Sequence, residues 1–552
     1  VQGLGSGGEM LETEKGMTVP SSKRPSMGKM FGIVAVLTVI SKVIGLARDV
    51  VVAAAYGTTF LADSYNYAFM FTGNILILFG GLGGPFHSAT VTTLEPRKEQ
   101  KDSGSLMVQL MAITTLFLGL AALIMIFVAP YLVHWIFAGY GHSEADRLRF
   151  CEQTIIQLWI MSPLIVIAGL IGISYGILNV FHRVTWPSLS PAIASLAIIV
   201  ALWLFPNKES AVPLAVGSLI GALGQLLAQV PDMFACGLRY RLTFKAIDGL
   251  RNFTSVLWPA FIGTSIGQLV VYVDGCFGAR ISEGAWTAIV NANRLVQLPL
   301  GVLITAMLVP VLPRFTAHVS KNRIDDLKSD FRRSISFLWF LAMPLTVVLL
   351  VLPMPIVRLL FQRGAFNTDS TTLVTVALLF MVPSIVFYIA RDLITRVFYA
   401  FQDSKTPYYV ALCALFVKGL LDYLFVIVIP MGVGGISLAT SLITLFNFTC
   451  LTVLIRKKVG SLGFTKLFGP IAIMTISSAL AGLVMYFSYF HLEQLLPAMT
   501  LIALVIKIGV ATAAGGATYF ILCSVFGLHE PRMLIDRLLK RQPLEQDPTG
   551  DA

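Results

Sequence analysis

Charge is scarce in this chain. Only 12% of its 552 residues are Asp, Glu, Lys or Arg, about half the share in a soluble domain. Apolar residues make up 56% and are spread along the whole length, which excludes a soluble domain carrying a single anchor. Runs of short alternating strands are missing, which argues against a β-barrel. The six cysteines (Cys151, Cys236, Cys276, Cys413, Cys450, Cys523) are scattered and form no CxxC. Neither a disulfide framework nor a zinc site is indicated. The seven histidines make no HxxxH or HExxH pattern, and no GK[ST] follows the glycine run Gly80–Pro85. No nucleophile–base arrangement stands out. The chain is therefore read as a non-enzyme with no catalytic residue, no metal site and no cofactor.

What is present is a succession of fourteen apolar segments, which predicts an all-α integral membrane protein. They fall at roughly 30–55, 61–92, 106–138, 153–180, 187–205, 211–235, 254–279, 285–313, 334–360, 371–400, 407–430, 432–455, 467–490 and 498–527. Each has about the 20 apolar residues that a helix needs to cross a bilayer. The net charge of +11 points to basic cytoplasmic loops and not to nucleic acid. With the N-terminus placed inside, 28 of the 40 Lys and Arg fall on cytoplasmic segments, six on the opposite loops and six within spans. That asymmetry predicts cytoplasmic N- and C-termini in a plasma or inner membrane.

An internal repeat is visible. Ala68 and Ala292 hold like places in spans 2 and 8, and Phe137 and Phe361 end spans 3 and 9, both 224 residues apart. FHRVTWP ends at Pro187 and FQDSKTP at Pro407, 220 later. An even number of spans per half makes this a parallel repeat about an axis along the membrane normal. The division is a disordered tail or expression leftover at 1–28, an N-lobe at 29–235 and a C-lobe at 236–455. Spans 13–14 follow at 456–527 and a cytoplasmic tail at 528–552, where 530–541 reads as a short interfacial helix.

The first span, MFGIVAVLTVISKVIGLARDVVVAAA, carries Lys42, Arg48 and Asp49 near its middle. A charge there costs roughly 2.5–3.5 kcal/mol by insertion scales. Such residues face a water-filled cavity, a partner or a polar ligand. The cations outnumber the local acid, so the ligand is expected to be anionic. Span 2 opens with Asp63. Arg294 sits in the apolar interior of span 8 and is expected to converge with Lys42 and Arg48 on a central cavity suited to a diphosphate. Lys418 and Asp422 lie i,i+4 on span 11, and with Asp274 of span 7 are expected to form a buried ion group. Arg391-Asp392 and Lys507 are read as residues near helix ends that snorkel.

These residues resemble a known family. SKVIGLARD (Ser41–Asp49), LADSYNYAF (Leu61–Phe69), NANRLVQLPLGVL (Asn291–Leu303), LFQRGAF (Leu360–Phe366) and YAFQDSKTP (Tyr399–Pro407) are similar to those of the MurJ (MviN) lipid II flippases. That group belongs to the multidrug/oligosaccharidyl-lipid/polysaccharide exporter superfamily. The resemblance covers about residues 28–530. It implies two six-helix lobes in a V around a cationic cavity, and a final hairpin forming a lipid groove. The implied ligand is lipid II or a similar polyprenyl-diphosphate lipid, bound by Lys42, Arg48, Asp49, Asp63 and Arg294. Lys42 stands where the family usually has arginine, and Asn293 where an acid often precedes Arg294. Ile77, Leu78 and about Leu82 replace an arginine pair and a glutamate. Some relatives bind sodium through acids and an amide on spans 7, 11 and 12. Asp274 and Asp422 look equivalent to two of those acids, while Lys418 takes the amide's place, which implies that its ammonium replaces the ion. The resulting expectation is a monomeric flippase working by alternating access with membrane potential as driver. The alternatives are a flippase for another polyprenyl-linked glycan or a non-transporting scaffold for cell-wall enzymes.

Overall fold

The computed structural model describes residues 27–81, 84–100, 103–141, 143–206, 209–238, 249–304, 311–496 and 500–538. Most of these are helical, and none is in a strand. Hydrocarbon offers no partners to backbone N–H and C=O groups, so a helix, which satisfies them internally, is the form an apolar span takes. The first half holds α1 (Met27–Tyr56), α2 (Phe60–Gly80), α3 (Pro85–Leu94), α4 (Ser103–Ile136), α5 (Glu144–Met161), α6 (Leu164–Val180), α7 (Thr185–Leu204), α8 (Val212–Leu227) and α9 (Val230–Ala235). The second holds α10 (Gly249–Gly278), α11 (Ala285–Leu303), α12 (Val311–Ser320), α13 (Ile324–Val351), α14 (Pro353–Phe361), α15 (Thr368–Met381), α16 (Ser384–Ala400), α17 (Lys405–Tyr423) and α18 (Val433–Val459). A hairpin of α19 (Phe464–Leu495) and α20 (Leu501–Val525) follows, then α21 (Glu530–Leu538).

Among the described residues eleven helical stretches are long and apolar enough to cross a membrane. The number is twelve if α15 and α16, bent by 43° at Val382-Pro383, count as one span. The expected fourteen is not reached on this criterion. The two predicted spans left out, α1 and α11, are those carrying Lys42, Arg48, Asp49 and Arg294. Several predicted segments are also broken. Segment 61–92 divides into α2 and α3, with Pro85 in the first turn of α3. Segment 153–180 divides at Pro163, the residue before α6. Proline lacks the N–H of a continuing helix and crowds the preceding turn.

Local geometry recurs at the repeat offsets. Ser143 and Asn367, 224 apart, each cap a helix by accepting the N–H of the residue three on, the usual N-cap arrangement. His182 and Gln402, 220 apart, are both non-glycine residues with positive φ (57° and 58°). α6 and α16 start and end 220 residues apart.

In the first half α1 packs on α7, α7 on α8, and α2 on α5 and α6; in the second α16, α15 and α17 pack on α18. α10 crosses the expected lobe boundary. Its early residues Phe253, Val256, Leu257 and Phe261 join the apolar cluster of α2, α3, α4 and α6. Phe253 lies 6.2 Å from Phe86 and Phe261 5.4 Å from Phe79, ring centre to ring centre. Its later half packs on α17. Between these halves stand Pro259 within the helix and Gly263 and Gly267, around which space is open. The α19–α20 hairpin packs on α13, leaving a cavity of about 130 Å³ lined by Pro344, Val348, Ala481, Met485 and Gly515. α21 is fixed by its buried Glu530, which accepts a hydrogen bond from Ser336 of α13; Lys540 and Arg541 of the expected interfacial helix lie outside the described residues.

Candidate functional site

α1 and α11 run past each other in opposite directions, and the predicted cations meet on their facing sides. Arg48 donates to Oδ1 of Asp49 from Nε at 3.0 Å and from Nη2 at 2.7 Å. Arg294 Nη1 lies 3.3 Å from the same oxygen and donates to Asn291 Oδ1 at 3.2 Å. Six residues before Arg48, and so about 9 Å along the helix, the exposed Lys42 reaches the far part of α11. A Cβ placed on Gly301 would lie 2.5 Å from its Nζ. Asp49 is buried, while both arginine side chains keep 27% of their surface open. The open face of α11 is polar, with Asn293, Arg294 and Gln297 all at least part-exposed. Arg48 and Arg294 share the one carboxylate, and with Lys42 counted the cleft carries a formal excess of two positive charges. Each guanidinium has five donors, more than Asp49 and Asn291 take up. The arrangement is suited to an anion with several oxygens.

Asp63 lies apart from this group, with partners of its own. It is fully buried and caps α11 from the neighbouring helix. Oδ1 accepts from Thr287 N at 2.9 Å and Thr287 Oγ1 at 2.7 Å. Oδ2 accepts from Gly284 N at 2.7 Å and Tyr140 Oη at 3.1 Å. Four donors fill the acceptor sites of a carboxylate, and a negative group at a helix N-terminus is favourably placed. Asp63 and Thr287 are 224 residues apart, the repeat offset itself. Equivalent residues that touch each other lie beside the pseudo-twofold axis.

Around that contact the two halves are sealed at what can be termed the Gly57 end. Ala365 N donates to Ala54 O at 2.8 Å, Phe60 N to Glu283 Oε1 at 2.8 Å and Asn66 Nδ2 to Thr287 Oγ1 at 3.0 Å. Tyr67 stacks on Trp286 with ring centres 5.3 Å apart. Gly57, Gly284 and Gly364 have φ of +60°, +80° and +61°. A Cβ on any of them would come closer than 3.0 Å to a backbone oxygen of the other half: Ala365, Thr58 and Ala54 respectively. Sequence reasoning missed this seal. The glycines alone gave a signal, and their partners lie hundreds of residues away.

The structure does bring Asp274, Lys418 and Asp422 together. Lys418 Nζ is 2.5 Å from Asp274 Oδ1 and 2.6 Å from Asp422 Oδ1. Lys418 and Asp422 are wholly buried and the Asp274 side chain is 14% exposed. The group ties α10 to α17. Lys507 is also paired, 3.1 Å from Glu493 across the hairpin. Leu78 places a part-exposed apolar side chain on α2, at one of the places where the resemblance implies charge; the side chains of Ile77 and Leu82 lie outside the described residues.

Comparison with known proteins identifies the family. The family model described as "Lipid II flippase MurJ" matches residues 52–506. A probable lipid II flippase MurJ of Synechocystis sp. is 33% identical over 486 residues, covering 84% of this chain and 88% of that protein. One from Thermotoga maritima is 28% identical over 422 residues, covering 75% and 82%. Among solved structures, a lipid II flippase MurJ in an inward closed conformation superposes with a TM-score of 0.74 at 23% identity, covering 91% of this chain and 99% of that one. An inward-facing MATE family transporter of the MOP superfamily follows the same fold at TM-score 0.63 and 13% identity, over 78% and 99%. With a family model spanning most of its length and a relative a third identical, the chain belongs to the lipid II flippase MurJ family.

Proposed function

We propose that this chain moves lipid II, or a closely similar polyprenyl-diphosphate lipid, across the bilayer by alternating access. The observation that carries the reading is the shared Asp49. It holds Arg48 of one half and Arg294 of the other at one point between the lobes, with Lys42 further along the same cleft. A diphosphate entering there replaces Asp49 as acceptor for both guanidiniums, in the bidentate geometry that arginine favours. The Lys and Arg distribution supports cytoplasmic termini, so the Gly57 end faces outward and the cleft opens inward. The lipid tail stays in the bilayer beside α19 and α20. One chain supplies both walls, and the protein acts as a monomer.

Outward movement of an anion is favoured by an inside-negative potential, about 2.3 kcal/mol per charge per 100 mV fully crossed. That makes membrane potential the driver. Lys418, held between Asp274 and Asp422, supplies internally the positive charge that sodium would bring, so sodium is not required. Added sodium should raise the melting temperature of Lys418→Asn and leave wild type unchanged. The opposite pattern gives the inference the wrong sign.

The apolar Leu78 keeps a second reading open, a flippase for another polyprenyl-linked glycan. Complementation of a conditional lipid II flippase deletion separates the readings, with wild type, Arg48→Ala and Arg294→Ala compared at equal membrane levels. Rescue by wild type alone supports lipid II flipping through the cationic cleft. Failure of a well-inserted wild type favours the other glycan lipid. Rescue by all three points to a non-transporting scaffold.

A further inference from the structure

The cleft has a polar stripe that the site above does not use. On α16 the residues Ile385, Val386, Ile389, Ala390, Leu393, Ile394, Val397 and Phe398 are buried. The opposite face, Tyr388, Arg391, Asp392, Thr395, Arg396 and Tyr399, is part-exposed or exposed. The spacing is that of one helix face, and the stripe is about 17 Å long. Arg391 Nη2 donates to Asp392 Oδ1 at 3.0 Å, and its guanidinium lies 4.0 Å from the centre of the Tyr388 ring. Nε of Arg396 is buried and finds no acceptor among the described residues.

A half-open face on a membrane helix meets either lipid or water. The lipid-facing surface of this protein is apolar, as α4 shows with Leu116, Phe117, Leu120, Leu123, Ile124 and Phe127 exposed. Two arginines and an aspartate do not suit that surface, so the α16 stripe faces the aqueous cleft. α16 packs on α12 and touches α11, the helix that carries Arg294.

The repeat shows that the opening is specific to one half. At an offset of 220, α6 carries Ala168, Ile171, Gly172 and Gly176 where α16 carries Tyr388, Arg391, Asp392 and Arg396. These four α6 residues are buried. A Cβ on Gly172 or Gly176 would come closer than 3.0 Å to Phe79 and Phe86 or to Thr90, because α2 and α3 lie directly on α6 there. Long side chains at the matching places of α16 prevent α12 from approaching as closely. The first half closes that surface, and the second keeps it open, polar and net positive by one.

Resting on the flippase reading, we propose that Tyr388, Arg391 and Arg396 form a second subsite, one that binds the carboxylates of the peptide borne by the lipid headgroup. Arg391, already oriented by Tyr388 and Asp392, presents its remaining donors to the cleft. Arg396 adds a second, part-exposed guanidinium on the same helix face. The diphosphate stays with Arg48 and Arg294, so the two groups read different parts of one substrate.

The test measures binding of three lipids to the purified full-length chain: undecaprenyl diphosphate, lipid II with free peptide carboxylates, and lipid II with those carboxylates amidated. Arg391→Gln and Arg396→Gln are compared with Arg294→Ala, and melting curves check that each is folded. Either glutamine variant should weaken free-carboxylate lipid II by about tenfold or more. Undecaprenyl diphosphate should stay within about twofold, and amidation should weaken wild type to the level of the variants. Unchanged lipid II affinity in both variants overturns the subsite, as does an equal loss for undecaprenyl diphosphate. If wild type discriminates neither lipid II nor undecaprenyl diphosphate from a neutral phospholipid, the flippase reading fails and the subsite with it. If Arg294→Ala alone loses both lipids, the flippase reading stands and only the subsite falls.

Discussion

Asp49 and Arg294 form an ion pair between the two halves of the chain, Oδ1 to Nη1 3.3 Å. The same carboxylate oxygen is already engaged by its neighbour Arg48. The acid therefore occupies the acceptor position between two guanidiniums and keeps the lobes together when no other anion is present. A ligand anion that displaces it removes a link between the lobes.

Asp49→Asn should separate binding from transport. The arginines are partly exposed, so loss of the pair should change stability by at most about 1 kcal/mol. The cleft gains one positive charge, and undecaprenyl diphosphate should bind several-fold more tightly. Flipping should fall, because the empty protein no longer regains the interlobe pair. Binding isotherms beside complementation check this; equal or weaker binding speaks against Asp49 as a competing acceptor.

The glycine seal gives a sharper outcome. Gly284→Ala or Gly364→Ala forces a side chain into a left-handed backbone, roughly 1–2 kcal/mol, and against a carbonyl of the opposite half. Both should open the Gly57 end. A cysteine introduced at Thr58 should then label with an impermeant maleimide several-fold faster than in the glycine parent. Gly527→Ala is the control, since Gly527 shares the positive φ of +75° and has nothing within 4 Å. Equal labelling in all variants would falsify the seal.

Lys418→Met leaves two carboxylates without their counter-ion in a buried place. Loss of one partner from a buried ion group costs about 3–5 kcal/mol, and the variant should insert poorly or melt well below wild type. Adding Asp274→Asn and Asp422→Asn removes the uncompensated charge and should recover most of the loss. A single variant as stable as wild type would mean that the triad is not held as an ion group.

A pH effect is expected at the loop that joins α16 to α17. The Asp403 carboxyl is held down to about 2, first by the hydrogen bond from Lys458 and then by those from Thr406. Lys458 Nζ lies 2.8 Å from it. The folded value is below the ordinary 3.8, so the contribution is complete above that value and is lost as pH falls towards 2. The stability difference between wild type and Lys458→Ala should be constant at pH 5 and above and shrink between pH 4 and pH 2. A difference that instead grows on acidification would reverse the assignment.

The cavity charges were legible in the sequence because charge inside an apolar run is rare and needs a reason. Arg48, Asp49 and Arg294 meet as that argument expects, and Lys418 and Asp422 sit one turn apart on a single helix. Asp63 was legible as unusual but its partners were not, since Thr287, Gly284 and Tyr140 are brought to it only by the fold. The α16 stripe looked like a helix-end pair because Arg391 and Asp392 are adjacent in sequence. Its meaning rests on which face of α16 the fold leaves uncovered.

The course of α10 has a mechanical consequence. One continuous helix is anchored among phenylalanines of the first half at Phe253 and bound by an ion group to the second at Asp274, about 30 Å away. The lobes are thus joined by a shared beam and not by loops alone. Rocking them would bend that beam, and its softest points are Gly263 and Gly267, where an added Cβ would meet nothing within 4 Å. A change in the charge balance at Lys418 alters the load on one end of the beam, and so can be felt at the other end without any ligand passing between them.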